Sequence, residues 1–278
     1  MTVVLKLGGE LLEDAGRLQI VTAAIAAATM PLVVVHGGGK EIDVALAAAG
    51  VRKEQVDGLR LTDAATLDVV VSVLAGSVNT RLVAALSAAG VRAVGLTGAD
   101  GRCGLADLAP PHQSTDGRTV DLGLVGVPSP RADVSLVRNL AGTGFVPIVA
   151  CIGVDPSGRL LNVNADTFAG HLAALLGAHR LVIAGATPGV LDSDGGTISV
   201  LESSAIAGFI ARGTATAGMI AKLRACERAL HSGVADVAIV DGRTEPSMSA
   251  ALEGRWPAGS TRIVDREQAF TTTTGARR

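Results

Sequence analysis

Two glycine turns near the start of the chain could bind a phosphate or a carboxylate. The apolar residues 33–36 run directly into glycines 37–39 and then into a helical pattern. Upstream, the apolar residues 3–7, which include Lys6, run into glycines 8 and 9. Consecutive glycines let backbone N–H groups approach an anion, and a following helix adds partial positive charge. Neither turn matches a Walker loop or a Gly-x-Gly-x-x-Gly motif. Each turn follows a short apolar run that we expect to be a strand, and the two strands should be parallel neighbours. The two turns together therefore predict one anion site.

Three further segments carry polar side chains suited to an anionic substrate. Arg60 lies just before a helix cap, where a guanidinium could bind a carboxylate in bidentate fashion or simply lie at the surface. Asn162, Asn164 and Asp166 lead into another helix, and Asn162 and Asp166 cannot both be its N-cap. Lys222 follows the small-residue loop 213–218, at a helical position where a lysine is normally solvated.

The elements that position these residues alternate between short β-branched runs and longer alanine-rich helical patterns. This alternation predicts βαβ units, and therefore a largely parallel sheet with helices on both faces. The predicted strands cover 2–7, 32–36, 91–96, 146–150, 181–184, 237–240 and 261–264. The predicted helices cover 17–28, 40–49, 63–74, 78–89, 132–142, 166–177, 203–211, 217–232 and 246–253. Residues 98–127 break the alternation and predict a long loop with an irregular hairpin, suited to a lid or an oligomer contact.

Composition excludes several classes of protein. Hydrophobic residues make up 48% of the 278 residues, but no uninterrupted apolar stretch of about 18 residues occurs, so we expect no membrane partner. No signal sequence opens the chain, which predicts a cytoplasmic location. Cys103, Cys151 and Cys226 fit neither a disulfide framework nor a zinc site and are interpreted as buried apolar residues. The net charge of −2 and the absence of tyrosine argue against nucleic acid and favour a small-molecule partner.

The motifs, in their order and spacing, resemble those of the amino-acid kinase family, and within it the acetylglutamate branch, over roughly residues 2–264. The motifs that carry the resemblance are Lys6-Leu7-Gly8-Gly9, His36-Gly37-Gly38-Gly39, Gly58-Leu59-Arg60-Leu61-Thr62, Leu74-Ala75-Gly76-Ser77-Val78-Asn79, Gly95-Leu96-Thr97-Gly98-Ala99-Asp100-Gly101, Leu122-Gly123-Leu124-Val125-Gly126, Asn162-Val163-Asn164-Ala165-Asp166 and Gly218-Met219-Ile220-Ala221-Lys222. The resemblance implies an α/β fold, a three-layer αβα sandwich around an open, mainly parallel sheet of about eight strands. It also implies an N-terminal lobe (1–178) for the amino-acid substrate and dimerisation, a nucleotide lobe (179–265) and a disordered tail (266–278).

The expected reaction is ATP-dependent phosphorylation of the γ-carboxylate of N-acetyl-L-glutamate, in arginine biosynthesis. By resemblance, Lys6 and Lys222 stabilise the transferring phosphoryl group, Asp166 positions both lysines, and backbone N–H groups of Gly9 and Gly38 bind the same oxygens. Gly38, Gly39, Arg60 and Asn162 bind the acylated amino acid. The residues implied for ATP are Ala186, Thr187, Pro188, Gly189, Val190, Leu191, Thr214, Ala215 and Thr216. Mg²⁺ is expected on the nucleotide phosphates, with no protein metal site.

The chain departs from the family pattern in three places. Family members carry an acidic residue where this chain has Ala186, and Asp-Gly or Gly-Gly where it has Ala217-Gly218. No helix precedes the first strand, which by resemblance predicts an arginine-insensitive homodimer. Two alternative functions stay open: a related kinase that acts on carrier-linked α-aminoadipate or glutamate, and a non-catalytic small-molecule binder on the same fold.

Overall fold

A computed structural model describes residues 1–114, 116–213 and 215–265. Its central feature is an eight-stranded sheet. In chain order the strands are β1 (Val3–Leu7), β2 (Leu32–His36), β3 (Ala93–Thr97), β4 (Val146–Ala150), β5 (Arg180–Gly185), β6 (Val200–Glu202), β7 (Asp236–Asp241) and β8 (Thr261–Val264). The predicted fold class, an αβα sandwich around a mainly parallel sheet, is therefore confirmed.

The strand order across the sheet is β6-β8-β7-β5-β1-β2-β4-β3. Every neighbouring pair is parallel except β7 and β8, which are antiparallel. The chain starts in the middle of the sheet at β1, extends to one side through β2, and returns to the other side at β5. This reversal makes β1 the topological switch point, and in open α/β sheets ligands bind at the carboxyl ends of such strands.

The strands are apolar because most are covered on both faces. Val3–Leu7, Leu32–His36 and Arg180–Gly185 are buried along their whole length. The predicted strands match within two residues at each end, and three match completely. The sequence analysis missed β6, a three-residue strand at the sheet edge. Its side chains alternate between exposed and buried, and three residues are too few for a periodic pattern to stand out.

The helices form layers on the two faces of the sheet. Helix α1 packs on α4 and α9, whereas α6 packs on α8 and on β1. The helices are α1 (Ala15–Ala26), α2 (Gly39–Ala48), α3 (Ala64–Val71), α4 (Asn79–Ala88), α5 (Ser135–Gly142), α6 (Ala165–Leu176), α7 (Ile206–Ala211), α8 (Ala217–His231) and α9 (Glu245–Leu252).

Helices α3 and α4 are one continuous rod rather than the two separate helices predicted. A π-helical segment, Ser72–Val78, joins them, and the sequence analysis took this glycine-containing region for a break. The rod Ala64–Ala88 is long and apolar enough, by length and composition alone, to cross a membrane, and 39% of its most apolar window is buried in this fold. π-Helical turns are often found at functional sites, and Leu74 of this one reaches the cavity described below.

Residues 98–127 contain two nested hairpins, as predicted in outline. Ala106–Leu108 pairs with Gly126–Pro128, and within that pair His112–Gln113 pairs with Thr119–Val120. His112 Nε2 lies 2.8 Å from the carboxylate of Asp57, which connects the inner hairpin to the turn that precedes Arg60.

Trp256 lies near the amino ends of β5 and β7. The guanidinium groups of Arg180 and Arg262 lie 5.4 and 5.3 Å from its ring centroids. Both arginines also contact Asp236, at 3.3 and 3.1 Å. This cluster lies at the edge of the sheet opposite the carboxyl ends. The predicted disordered tail, 266–278, lies outside the described residues.

Candidate active site

A cavity of about 270 Å³ opens at the carboxyl ends of β1 and β2. It is lined by seven of the predicted catalytic and acceptor-binding residues: Lys6, Gly9, Gly38, Gly39, Arg60, Asn162 and Asp166. These residues come from parts of the chain up to 160 positions apart, and the parallel sheet and helix α6 bring them together.

The two glycine turns meet at this cavity. A Cβ atom on Gly9 would lie 2.8 Å from Cα of Gly38, so the two backbones are in direct contact. Gly8 N donates to Ala184 O at 2.9 Å, and Gly37 N donates to Leu7 O at 3.2 Å, which fixes both turns to the central strands. The close approach leaves no room for a side chain at Gly9, which explains the glycine there.

A carboxylate lies between two lysines beside these turns. Asp166 Oδ1 lies 2.8 Å from Lys6 Nζ, and Asp166 Oδ2 lies 3.8 Å from Lys222 Nζ. Lys6 points out of β1, Asp166 is in the first turn of α6, and Lys222 is in α8. The predicted lysine–aspartate–lysine group is thus present as one cluster, although its members are far apart in sequence.

The local sequence explains why Asp166 is available. Asn164 is the N-cap of α6 and accepts from Thr167 N at 3.0 Å. Neither Asn162 nor Asp166 is therefore needed as the cap, and both line the cavity.

Lys6 is almost fully buried, with 6% of its side chain exposed. Burial alone would lower its pKa, but the ion pair with Asp166 outweighs this effect and raises the pKa above the ordinary lysine value. Lys6 is consequently a fixed positive charge at neutral pH. Cys151 also lines the cavity, and burial raises the pKa of its thiol to about 12. All three cysteines are free and buried, which confirms their interpretation as apolar residues.

Arg60 points into the cavity from the short hairpin formed by Gln55–Val56 and Leu59–Arg60. Its Nη2 donates to Asp43 Oδ1 at 2.6 Å, and Asp43 also accepts from Lys53 at 2.6 Å. Burial would raise the pKa of Asp43, but its bonds to Lys53 and Arg60 hold it below the ordinary value. Nη1 of Arg60 is buried, and no described residue accepts a hydrogen bond from it. One nitrogen of a fixed guanidinium is thus left for a ligand.

Asn162 lines the same cavity as the glycine turns. Its Nδ2 donates to Thr62 Oγ1 at 3.1 Å, and Thr62 itself is bound through N–H to Leu122 O at 2.9 Å. The amide is therefore held, through Thr62, by the segment between the last strands of the inner and outer hairpins.

His36 ends β2 directly before the second glycine turn and is fully buried. Its Nδ1–H donates to Gly37 O at 3.1 Å, and its Nε2 accepts from Asn79 Nδ2 at 3.0 Å. Burial lowers the pKa of His36 to about 4, so the ring is neutral at physiological pH. His36 is not among the residues that line the cavity.

Of the residues predicted for ATP, none that the structure describes lines this cavity, and Ala186 is joined to it through its N–H, which donates to Glu10 at 3.1 Å. Residues 186–189 follow β5, and Val190–Leu191 pairs with Thr197–Ile198. Val190 N donates to Thr261 Oγ1 at 2.7 Å, and Thr216 Oγ1 caps α8 by accepting from Met219 N at 3.3 Å. Thr214 lies outside the described residues.

The sequence analysis missed three residues of the site. Asp43 holds Arg60, Thr62 holds Asn162, and Glu10 lines the cavity directly after the first glycine turn. Only Glu10 carried a signal, since it is the next residue after Gly8-Gly9. The other two act through contacts across 17 and 100 positions of the chain.

Comparison with known proteins gives a consistent result. A family model described as the amino acid kinase family matches residues 1–241. The acetylglutamate kinase of Nitrobacter hamburgensis is 41% identical over 252 residues, which cover 87% of this chain and 84% of the relative.

Solved structures share the architecture. N-acetylglutamate synthase from Neisseria gonorrhoeae, complexed with coenzyme A and N-acetyl-glutamate, is 25% identical with a TM-score of 0.80; the match covers 95% of this chain and 59% of that one. Carbamate kinase from Giardia lamblia bound to AMP-PNP has a TM-score of 0.67 at 17% identity, covers 95% and 98% of the two chains, and shows the same fold.

Proposed function

The chain belongs to the amino acid kinase family, and we propose that it uses ATP to phosphorylate the γ-carboxylate of N-acetyl-L-glutamate, a step of arginine biosynthesis. Relatives at about 40% identity are named acetylglutamate kinase, and the matches cover most of their length and of this chain. The carrier-linked and non-catalytic alternatives are not favoured by any contact in the site.

The observation that carries the proposal is the Lys6–Asp166–Lys222 cluster beside two touching glycine turns. Phosphoryl transfer to a carboxylate brings two anions together, so the enzyme must neutralise charge and align the reactants. No general base is needed, because the acceptor carboxylate is already ionised at neutral pH. Lys6 and Lys222 stabilise the charge on the transferring group, and Asp166 fixes the positions of both. Backbone N–H groups of Gly9 and Gly38 bind the same oxygens.

Arg60 binds the α-carboxylate of the acceptor. Its guanidinium is oriented by Asp43, and its Nη1 has no hydrogen-bond partner among the described residues, which supports this role. Asn162 and the backbone of Gly38 and Gly39 complete the acceptor site. The buried side chains around the cavity exclude water, which strengthens each of these charge interactions.

ATP is bound by residues 186–191 together with Ala215, Thr216 and Thr214. The start of α8, where Thr216 is the N-cap, suits an anionic polyphosphate. Mg²⁺ enters with the nucleotide and neutralises phosphate charge. The lobe division at 178/179, the cytoplasmic location and a homodimer belong to the same proposal.

The test is ADP release by the purified protein with Mg-ATP and each of several acceptors. N-acetyl-L-glutamate should support turnover, whereas glutamate, aspartate, α-aminoadipate and a control without acceptor should not. Turnover only with carrier-linked substrates would replace the proposed acceptor. Absence of turnover with every acceptor, with ADP still raising the thermal unfolding temperature, would reject the enzyme in favour of a binder.

A further inference from the structure

Glu10 places a second carboxylate at the active site, and the proposed function gives it no role. The residue lies in the 3₁₀ turn Gly9–Leu11, directly after the first glycine turn, and lines the cavity. Its carboxylate folds back over Gly8, where an added Cβ atom would overlap it. The partly exposed side chain therefore lies over the first glycine turn.

The carboxylate lies between the carboxyl ends of β1 and β5. Oε1 accepts from the backbone N–H of Ala186 at 3.1 Å. A Cβ atom on Gly185 would lie 3.2 Å from this oxygen and 3.8 Å from Cε of Lys222. Glu10 thus lies at the junction of the catalytic cluster and the segment proposed to bind ATP.

The Glu10 carboxylate forms no ion pair in the described part of the chain, although its negative charge helps to raise the pKa of Lys6. Asp166 contacts both Lys6 and Lys222, but no described lysine, arginine or histidine lies within 4.0 Å of the Glu10 carboxylate. A polyphosphate bound next to Ala186 would meet this negative charge directly. Like charges so close together repel strongly in a partly buried site, unless a cation lies between them.

We propose that the Glu10 carboxylate binds the divalent cation that accompanies the nucleotide. Mg²⁺ is a hard cation that proteins hold through one or two carboxylates together with substrate phosphates and waters, and Glu10 offers such an oxygen beside the proposed phosphate site. This proposal rests on the proposed function, and it adds a protein ligand to a cation otherwise assigned to the phosphates alone. A cation between Glu10 and the phosphates would also remove the repulsion between the carboxylate and the bound anion.

The variant that tests this is Glu10→Gln. Glutamine keeps the side-chain length and the oxygen that accepts from Ala186 N, and removes the negative charge. The measurement is calorimetric binding of ADP with Mn²⁺ and of ADP with EDTA, together with Mn²⁺ electron paramagnetic resonance of the bound complex. Neither readout uses an acceptor, so the result does not depend on which amino acid is phosphorylated.

We expect Mn²⁺ to strengthen ADP binding to the unaltered protein, and Glu10→Gln to reduce this enhancement at least tenfold. Affinity for metal-free ADP should stay the same or increase. Glu10→Asp, which keeps the charge but withdraws the carboxylate, should also lose most of the enhancement. Glu13→Gln is the matched control, since it removes a charge from the same segment at a residue that pairs with Lys40, and it should bind as the unaltered protein does.

Two results would overturn the proposal. If Glu10→Gln tightens ADP binding equally with and without Mn²⁺, the carboxylate only repels phosphate. If the enhancement is unchanged in both Glu10 variants, the side chain only bridges the two turns. If the unaltered protein shows the Mn²⁺-dependent ADP binding but no turnover with N-acetyl-L-glutamate, the proposed function is wrong, whereas the proposal for Glu10 is not affected.

Discussion

At the scale of single residues, the site depends on how charges are distributed around Asp166. One carboxylate orients two lysines, and the nearer of them, Lys6, is buried and held in its charged form. An unpaired buried charge would be costly, and Asp166 pairs with both lysines, so the cluster is stable without ligand. The lysines already supply the positive charge that an incoming phosphoryl group needs.

Removal of Lys222 should therefore slow turnover without unfolding the protein. We expect Lys222→Ala to lower kcat about a hundred- to a thousandfold, or ~3–4 kcal/mol, the usual cost of losing one preorganised charge-stabilising group. Steady-state kinetics with varied ATP and acceptor measure this effect. Lys40→Ala is the control, because the Lys40 side chain is 73% exposed and its one ion pair among the described residues is with Glu13. Near-normal turnover of Lys222→Ala would contradict the assigned role.

The residues that bear charge in the cavity could be predicted because they belong to ordered motifs. Lys6, Arg60, Asp166 and Lys222 each follow or precede a recognisable turn. Asp43 could not be predicted in the same way, since it is an ordinary acidic residue on an exposed helix face until the hairpin brings Arg60 against it. Its role exists only in three dimensions.

At the scale of elements, the touching glycine turns set the geometry of the site. Gly9→Ala would place a methyl group 2.8 Å from Cα of Gly38 and force the turns apart. We expect a loss of about 1–3 kcal/mol in the free energy of unfolding, the usual cost of overpacking, and a loss of activity. Gly39→Ala is the matched control for stability, since no atom lies within 4 Å of its added methyl group. Denaturant unfolding of both variants measures the difference, and equal stabilities would contradict it.

The buried His36 makes the second glycine turn sensitive to acid. Its pKa is about 4 in the folded protein and about 6.5 in the unfolded chain, so the unfolded chain takes up a proton first. The stability that neutral His36 contributes is complete above pH 6.5 and is lost as the pH falls to 4. The loss amounts to ~3 kcal/mol at 1.36 kcal/mol per pKa unit.

The measurement is the free energy of unfolding between pH 7 and pH 4 in the unaltered protein and in His36→Gln. Glutamine can still accept from Asn79 but does not titrate. We therefore expect a shallower decrease in the variant, and parallel curves would show that His36 is not the titrating group.

Elements were predictable where a strand or helix is long and regularly patterned. The strand 32–36 and the helix 40–49 needed no tertiary information. The rod Ala64–Ala88 was predicted as two helices because Gly76 interrupts the pattern. In the fold, the π-helical segment joins α3 to α4 without a break. The strand Val200–Glu202 exists because β8 offers it an edge, which local sequence cannot reveal.

At the scale of the whole molecule, one surface suits a second copy of the chain. It is formed by α2, the π-helical segment and α4, together with Glu13 just before α1. Its other residues are Lys40, Glu41, Val44, Ala45, Val73, Ser77 and Arg81. Val44 is 71% exposed there, beside an apolar rod that is only partly buried. An apolar patch rimmed by charged residues is typical of a protein interface.

We expect sedimentation to give twice the 27.8 kDa chain mass. Val44→Asp should shift the protein towards monomers, because it places a charge in the middle of the patch. Val127→Asp, at a valine that is 47% exposed on the nested hairpins, should leave the mass unchanged. A hexamer would reject the homodimer, and a dimer that persists in Val44→Asp would move the interface elsewhere.

The cluster around Trp256 has a practical consequence for such measurements. The chain has one tryptophan and no tyrosine, so nearly all of its ultraviolet fluorescence comes from this one indole. The indole lies between the guanidinium groups of Arg180 and Arg262, which both contact Asp236 at the amino end of β7, whereas the cavity lies at the carboxyl ends of β1 and β2. Its emission should therefore change when that half of the sheet unfolds and stay constant when ligands bind.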